Sequence, residues 1–155
     1  MGIKENEAEK YTALLHEVKF FKPFGVQDVR HLLDAGNVYH YKLHEYIFKE
    51  EETDYSFFVI LKGAVKLLKQ GAMSQKKELA IMRAGECFGE MGLLLHDKRT
   101  ATALAAEASY VFKITSENVD NLPTDTKGML YHQFAVFLAE RLKETTQSII
   151  SPDHF

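Results

Sequence analysis

Apolar and polar positions along the chain change period twice, and the changes divide it into three parts. From Glu5 to Phe20 the pattern is mixed helical, and Val26, Val29, Leu32 and Leu33 recur at helical spacing. Two short helices are therefore predicted near the N-terminus, separated by Pro23 and Gly25. Beyond them Tyr39, Tyr41 and Leu43 alternate with His40, Lys42 and His44, the period of a half-buried strand. Strand-like runs follow at Tyr55 to Leu61, Ala64 to Lys69, Lys77 to Met82, Ala101 to Ala106 and Ser109 to Ile114, punctuated by Gly63, Gly71 and Gly85. After Ile114 the helical period returns. Ser116 to Leu122 is expected to form a short helix, Pro123 and Thr124 a break, and Gly128 to Ile150 a long amphipathic helix. Its apolar stripe is Leu130, Phe134, Phe137, Leu138, Leu142 and Ile149. The tail Ser151 to Phe155 is not expected to continue it, because Pro152 lacks a backbone donor.

Short strands flanked by helices predict an α+β fold, a jelly-roll β-barrel with helices at both ends. The expected organisation is a single domain over 1–155: N-terminal helices over 1–37, barrel over 38–115 and C-terminal helices over 116–150. At 155 residues, with 46% hydrophobic and 26% charged positions, the chain can bury one sizeable core. No run of eighteen apolar residues occurs and the first seven residues are too polar for a signal peptide, so neither a membrane span nor a signal peptide is expected, and the expected compartment is the cytoplasm. The formal net charge of −3 gives no overall basic field for nucleic acid. Cys87 is the only cysteine, which rules out an internal disulfide and a cysteine-based metal site; a small buried thiol is expected there.

The chemistry concentrates between Gly85 and Thr102. Glu90 and Arg99 stand at the two ends of a turn punctuated by Gly89 and Gly92. Glycines let a ligand approach the main chain and let intervening amides face an anion. An ionised glutamate only accepts hydrogen bonds and suits a sugar hydroxyl, whereas arginine is a permanent planar fork that suits two phosphate oxygens. The stretch reads as a clamp for a phosphate and a ribose.

Phe88-Gly89-Glu90-Met91-Gly92-Leu93-Leu94, then four residues, then Arg99-Thr100-Ala101-Thr102, resembles the phosphate-binding cassette of cyclic nucleotide-binding domains. That family includes protein kinase regulatory subunits, cyclic-nucleotide-gated and hyperpolarisation-activated channels, and the sensor half of catabolite activator proteins. The runs Tyr46 to Phe48 and Tyr55 to Leu67 also resemble the family's early strands, and the likeness extends from about Leu14 to about Leu142.

The resemblance implies a non-catalytic sensor of cAMP or cGMP with no cofactor beyond that ligand. It places the ribose 2′-hydroxyl on Glu90, the cyclic phosphate on Arg99 and on the amides of Gly89, Met91 and Gly92, and the base on Leu67, Ala80 and Met82. Thr100 stands where cAMP-selective kinase subunits carry alanine and cGMP-dependent kinases threonine, and its hydroxyl can donate to the phosphate or to a base edge. Three positions depart from the family pattern. His44 and Glu51 replace turn glycines, and Lys98 replaces a proline and adds positive charge beside Arg99.

The resemblance also implies a relay through the C-terminal helices, hinged at Asn121 to Thr124, to an effector protein the sequence does not identify. The long helix, about 33 Å at 1.5 Å per residue, exceeds what a small barrel needs, which leaves its distal half available to a second copy. The rival reading is a degenerate, ligand-free barrel acting as a protein-interaction scaffold, with Arg99 in an internal salt bridge. Seven histidines raise a metal hypothesis, and His40, His44 and Glu45 would share a strand. A metal-binding cupin needs histidines one residue apart followed by a glutamate and a histidine, an order this chain lacks, so surface histidines and no metal are expected. No Ser/His/Asp or Cys/His set stands out, and no enzyme activity is expected.

Overall fold

The computed structural model of the chain describes residues 3–5, 8–71, 73 and 75–150. The elements run β1 (Ile3–Glu5), α1 (Ala8–Glu17), a single 3-10 turn (Lys19–Phe21), α2 (Val26–Ala35), β2 (Asn37–Tyr41), β3 (Tyr46–Phe48), β4 (Ser56–Lys62), β5 (Ala64–Gln70), β6 (Lys76–Arg83), β7 (Cys87–Phe88), α3 (Glu90–Leu95), β8 (Thr102–Ala105), β9 (Ser109–Thr115), α4 (Ser116–Asp120) and α5 (Thr124–Ile150). Strands β1-β2-β9-β4-β7 form one antiparallel sheet and β3-β8-β5-β6 the other. The α+β jelly roll with terminal helices is the architecture the sequence predicts.

Strand β4 explains how the layers are held. All residues from Ser56 to Leu61 are buried. Alternate side chains leave a strand on opposite faces, so Phe58 and Ile60 enter the barrel interior with Phe48, Val65, Phe88 and Val111. Phe57 and Val59 leave the other way, into a second core with Phe20, Phe21, Phe112 and Phe134. A continuous apolar run is what a strand buried on both faces requires. In that second core, Phe57 and Phe134 meet edge to face with centroids 4.7 Å apart, and Gln133 donates from Nε2 to the Phe20 carbonyl at 2.9 Å. These contacts fix the first half of α5 against the barrel.

Helix α5 is also tied to α2. Thr126, buried at the start of α5, donates to Asp28 Oδ1 at 2.6 Å, and His31 Nδ1 lies 3.3 Å from the same hydroxyl. Between α4 and α5 only residues 121–123 are non-helical, in the segment expected to act as a hinge. Beyond Phe137 the apolar stripe leaves the core: Leu138 is 39% and Leu142 67% exposed. The side chain of Ile149 and the tail 151–155 lie outside the described residues. Among those described, no helix is long and apolar enough to cross a membrane.

Several sequence expectations are corrected. Residues 1–37 are not purely helical, because Ile3–Glu5 pairs with β2 as an edge strand and Asn37 already belongs to β2. The strand expected over 39–45 ends at Tyr41: Glu45 N–H donates to the Lys42 carbonyl and His44 turns to a φ of 72°. His40 and His44 therefore share no strand face, and His40 stacks on Tyr110 with ring centroids 4.6 Å apart. Among the described residues no group of three metal-ligating side chains gathers. Strand β7 was not anticipated, and α5 begins four residues before Gly128. Both positions that depart from turn glycines, His44 and Glu51, adopt positive φ, 72° and 73°.

Candidate functional site

Residues 85–102 cross between the two sheets and wall a cavity of about 390 Å³. Gly89, with a φ of 86°, turns the chain from β7 into α3, and the six-residue helix closes at His96, also left-handed at 57°. The first N–H groups of a helix have no acceptor within it, so the amides at Glu90, Met91 and Gly92 begin the cavity wall without intrahelical partners. Glu90, Met91, Gly92, Arg99 and Thr100 all line this space, with Leu67, Met82 and Phe48 as its apolar side.

Arg99 is the organising residue. It is only 4% exposed, and its Nη2 donates to the Ser56 carbonyl at 2.9 Å and pairs with Asp54 Oδ2 at 3.5 Å. Nη1 reaches the Gly89 carbonyl at 3.4 Å, and Cζ lies 4.3 Å from the centre of the Phe48 ring. The backbone is held as well: Arg99 N–H donates to the Glu52 carbonyl, and Glu51 N–H to the Arg99 carbonyl. Burial pulls the Arg99 pKa below its ordinary value, and the carboxylate of Asp54 works in the opposite direction. Its Nε is buried with no hydrogen-bond partner among the described residues. An unsatisfied donor on a buried charged group costs roughly 1 to 3 kcal/mol or more.

Glu90 faces the cavity from the start of α3 and is paired through Oε1 with Arg141 Nη1 of α5. Lys69 donates to the Thr100 carbonyl at 2.8 Å and pairs with Glu50 at 3.5 Å, which fixes the segment after Arg99 to β5. Cys87 is buried as expected, and burial pushes its thiol pKa up, far from a reactive thiolate.

Of the residues singled out from sequence, Gly89, Glu90, Met91, Gly92, Arg99, Thr100, Leu67 and Met82 share the cavity. Ala80 does not line it. It lies on β6, the open edge of its sheet, where a register shift after Leu67 breaks the regular pairing, and its side chain is exposed. Sequence reading missed Asp54, the Ser56 carbonyl and Arg141. Asp54 sits in a polar loop with no periodic signal, and Arg141 follows Arg99 by more than forty residues on a helix read only for its apolar stripe.

The family model of the cyclic nucleotide-binding domain matches residues 38–125. The chain belongs to that family. Among curated proteins it is similar to the cyclic AMP receptor protein of Thermus thermophilus, with 30% identity over 102 residues, 63% of this chain and 45% of that protein. It is also similar to human cGMP-dependent protein kinase 2, 30% identical over 100 residues, 64% of this chain and 13% of the kinase. The chain thus spans less than half the length of these relatives. Among solved structures, the Thermus thermophilus catabolite activator protein superposes with a TM-score of 0.73 at 26% identity, covering 84% of this chain and 61% of that one. A cyclic nucleotide-binding domain from Methylobacillus flagellatus superposes with a TM-score of 0.81 at 19% identity, covering 99% and 90%, a likeness of fold alone. The matched segment 38–125 contains the whole cavity wall except Arg141.

Proposed function

We propose that this domain is a non-catalytic sensor that takes up cAMP or cGMP in the cavity beside α3 and relays occupancy to an effector protein through its C-terminal helices. The observation that carries the reading is the buried Arg99, which lines a cavity within the size range of small-molecule sites and whose Nε has no hydrogen-bond partner among the described residues. An anionic phosphate is the partner that would satisfy this donor, with the α3 amides at Met91 and Gly92 and the turn at Gly89 completing the cradle. Glu90 would accept from the ribose 2′-hydroxyl, and Leu67 and Met82 would pack against the base. Thr100 would offer its hydroxyl to the phosphate or to guanine.

The rival scaffold reading draws on the Asp54 and Ser56 contacts of Arg99, which are those of an internal ion pair. It leaves Nε and the open, lined cavity without a use, and the sensor reading accounts for both. The relay would run through residues 121–123, where the least backbone must change for α5 to shift against the barrel. Tyr131, Leu138 and Leu142 are exposed at spacings of seven and four on α5. That seam fits pairing with a second copy of the helix. We place the domain in the cytoplasm and assign it no DNA-binding role of its own.

A thermal-shift assay tests the reading: a cyclic nucleotide at a hundredfold excess over its dissociation constant should stabilise the fold by about 2.7 kcal/mol. No shift with millimolar cAMP or cGMP would favour the scaffold.

A further inference from the structure

We infer that Lys113 is a positioning residue for the phosphate site: by sharing the Asp54 carboxylate with Arg99 it leaves that cluster with a net positive charge, which the cyclic phosphate then neutralises. The inference rests on the sensor reading above.

Lys113 stands where the barrel's pattern asks for an apolar side chain. Alternate residues of a strand face the same way, and Val111, two positions earlier on β9, is buried in the barrel interior with Phe58 and Phe88. Lys113 is the direct partner of Phe58 in the pairing of β4 with β9. Its Nζ lies 5.7 Å from the centre of that ring and 5.9 Å from the centre of Tyr39. A cation on such a face needs an anionic partner. Lys113 has one: Nζ is 3.4 Å from Asp54 Oδ2, the same oxygen that Arg99 Nη2 meets at 3.5 Å. The other Asp54 oxygen accepts from the Ser56 hydroxyl at 2.6 Å.

Counting charges shows the consequence. Arg99 and Asp54 alone make a neutral pair, which attracts an anion only weakly. With Lys113 the cluster carries a single net positive charge, opposite to that of a cyclic phosphodiester. The Lys113 side chain is 27% and that of Asp54 24% exposed, so salt screens them less than it would a surface pair. Neither is among the residues that line the cavity, and Lys113 therefore acts through Asp54 and its field rather than by touching the ligand. A purely structural ion pair behaves differently. There, loss of one partner disturbs the seat of Arg99, and loss of both disturbs it no less; here, removing the Asp54 charge should offset removal of the Lys113 charge.

The test is calorimetric titration of cAMP and cGMP into the parent, Lys113→Met, Lys113→Arg and a double variant that combines Lys113→Met with Asp54→Asn. Lys113→Met keeps the apolar stem and removes the charge, and affinity should fall by about tenfold, the lower end of what a focused field supplies. Lys113→Arg, which restores the charge, should bind nearly as the parent does. The double variant should bind more tightly than Lys113→Met, because the carboxylate that cancels Arg99 has gone. Parental affinity in Lys113→Met, or a double variant that binds no more tightly than Lys113→Met, would overturn the inference and leave the sensor reading in place. A parent that binds neither nucleotide would remove both. Should Lys113→Met not fold, Lys113→Gln carries the same comparison.

Discussion

A β-carbon placed on Gly92 would lie 2.5 Å from Nη1 of Arg99 and 3.1 Å from the Asp54 carbonyl. The absent side chain of one residue is thus the space occupied by the guanidinium of the other, and the glycine at the middle of α3 serves packing. In an open helix, Gly→Ala would add about 1 kcal/mol of stability. Here Gly92→Ala should instead destabilise the domain and weaken cyclic nucleotide binding by more than tenfold, because Arg99 must leave its seat on Ser56 and Asp54. Melting curves and titration of the variant check this; parental affinity would show that Arg99 need not be seated there.

His44 and Glu51 make the opposite prediction. Each holds a left-handed backbone, φ 72° and 73°, on an exposed turn. That conformation costs an ordinary residue roughly 1 to 2 kcal/mol, of which glycine's greater freedom when unfolded returns part. His44→Gly and Glu51→Gly should each stabilise the domain by about 0.5 to 1 kcal/mol in a denaturant titration. A lowered midpoint would mean that the side chains contribute more than the strain removes.

Much of this arrangement could be read from the sequence, and the reasons are specific. Strand β4 was legible because a strand buried on both faces needs the uninterrupted run from Phe57 to Leu61, and α5 because Leu130, Phe134 and Phe137 recur at the helical period. That Glu90 and Arg99 share one cavity was legible because they stand at the two ends of a single glycine-punctuated turn. Strands β1 and β7 were not, since three and two residues are too few to show a period. The face shared by His40 and His44 failed because alternation continues past Tyr41, while the Lys42 to Glu45 turn does not. Asp54 and Arg141 were invisible for a different reason. Their roles exist only through tertiary proximity to Arg99 and Glu90, and no local pattern encodes that.

Thr100 offers a lever on ligand identity. Thr100 is exposed and lines the cavity, while its carbonyl is held by Lys69. A hydroxyl here can accept from the guanine 2-amino group, for which adenine has no counterpart at C2. Thr100→Ala should therefore lower affinity for cGMP more than for cAMP, by about 0.5 to 1.5 kcal/mol. Equal loss for both nucleotides would assign the hydroxyl to the phosphate.

Whether Arg99 holds an anionic cyclic phosphate is decided by titration calorimetry of cAMP and cGMP into the parent and into Arg99→Ala and Arg99→Lys. The parent is expected to bind at least one of the nucleotides at a single site. Arg99→Ala should weaken that binding by about 2 to 5 kcal/mol, and Arg99→Lys, which keeps the charge but not the fork, should fall between. A folded Arg99→Lys that binds as tightly as the parent, or a parent that takes up neither nucleotide at millimolar concentration, would contradict the account.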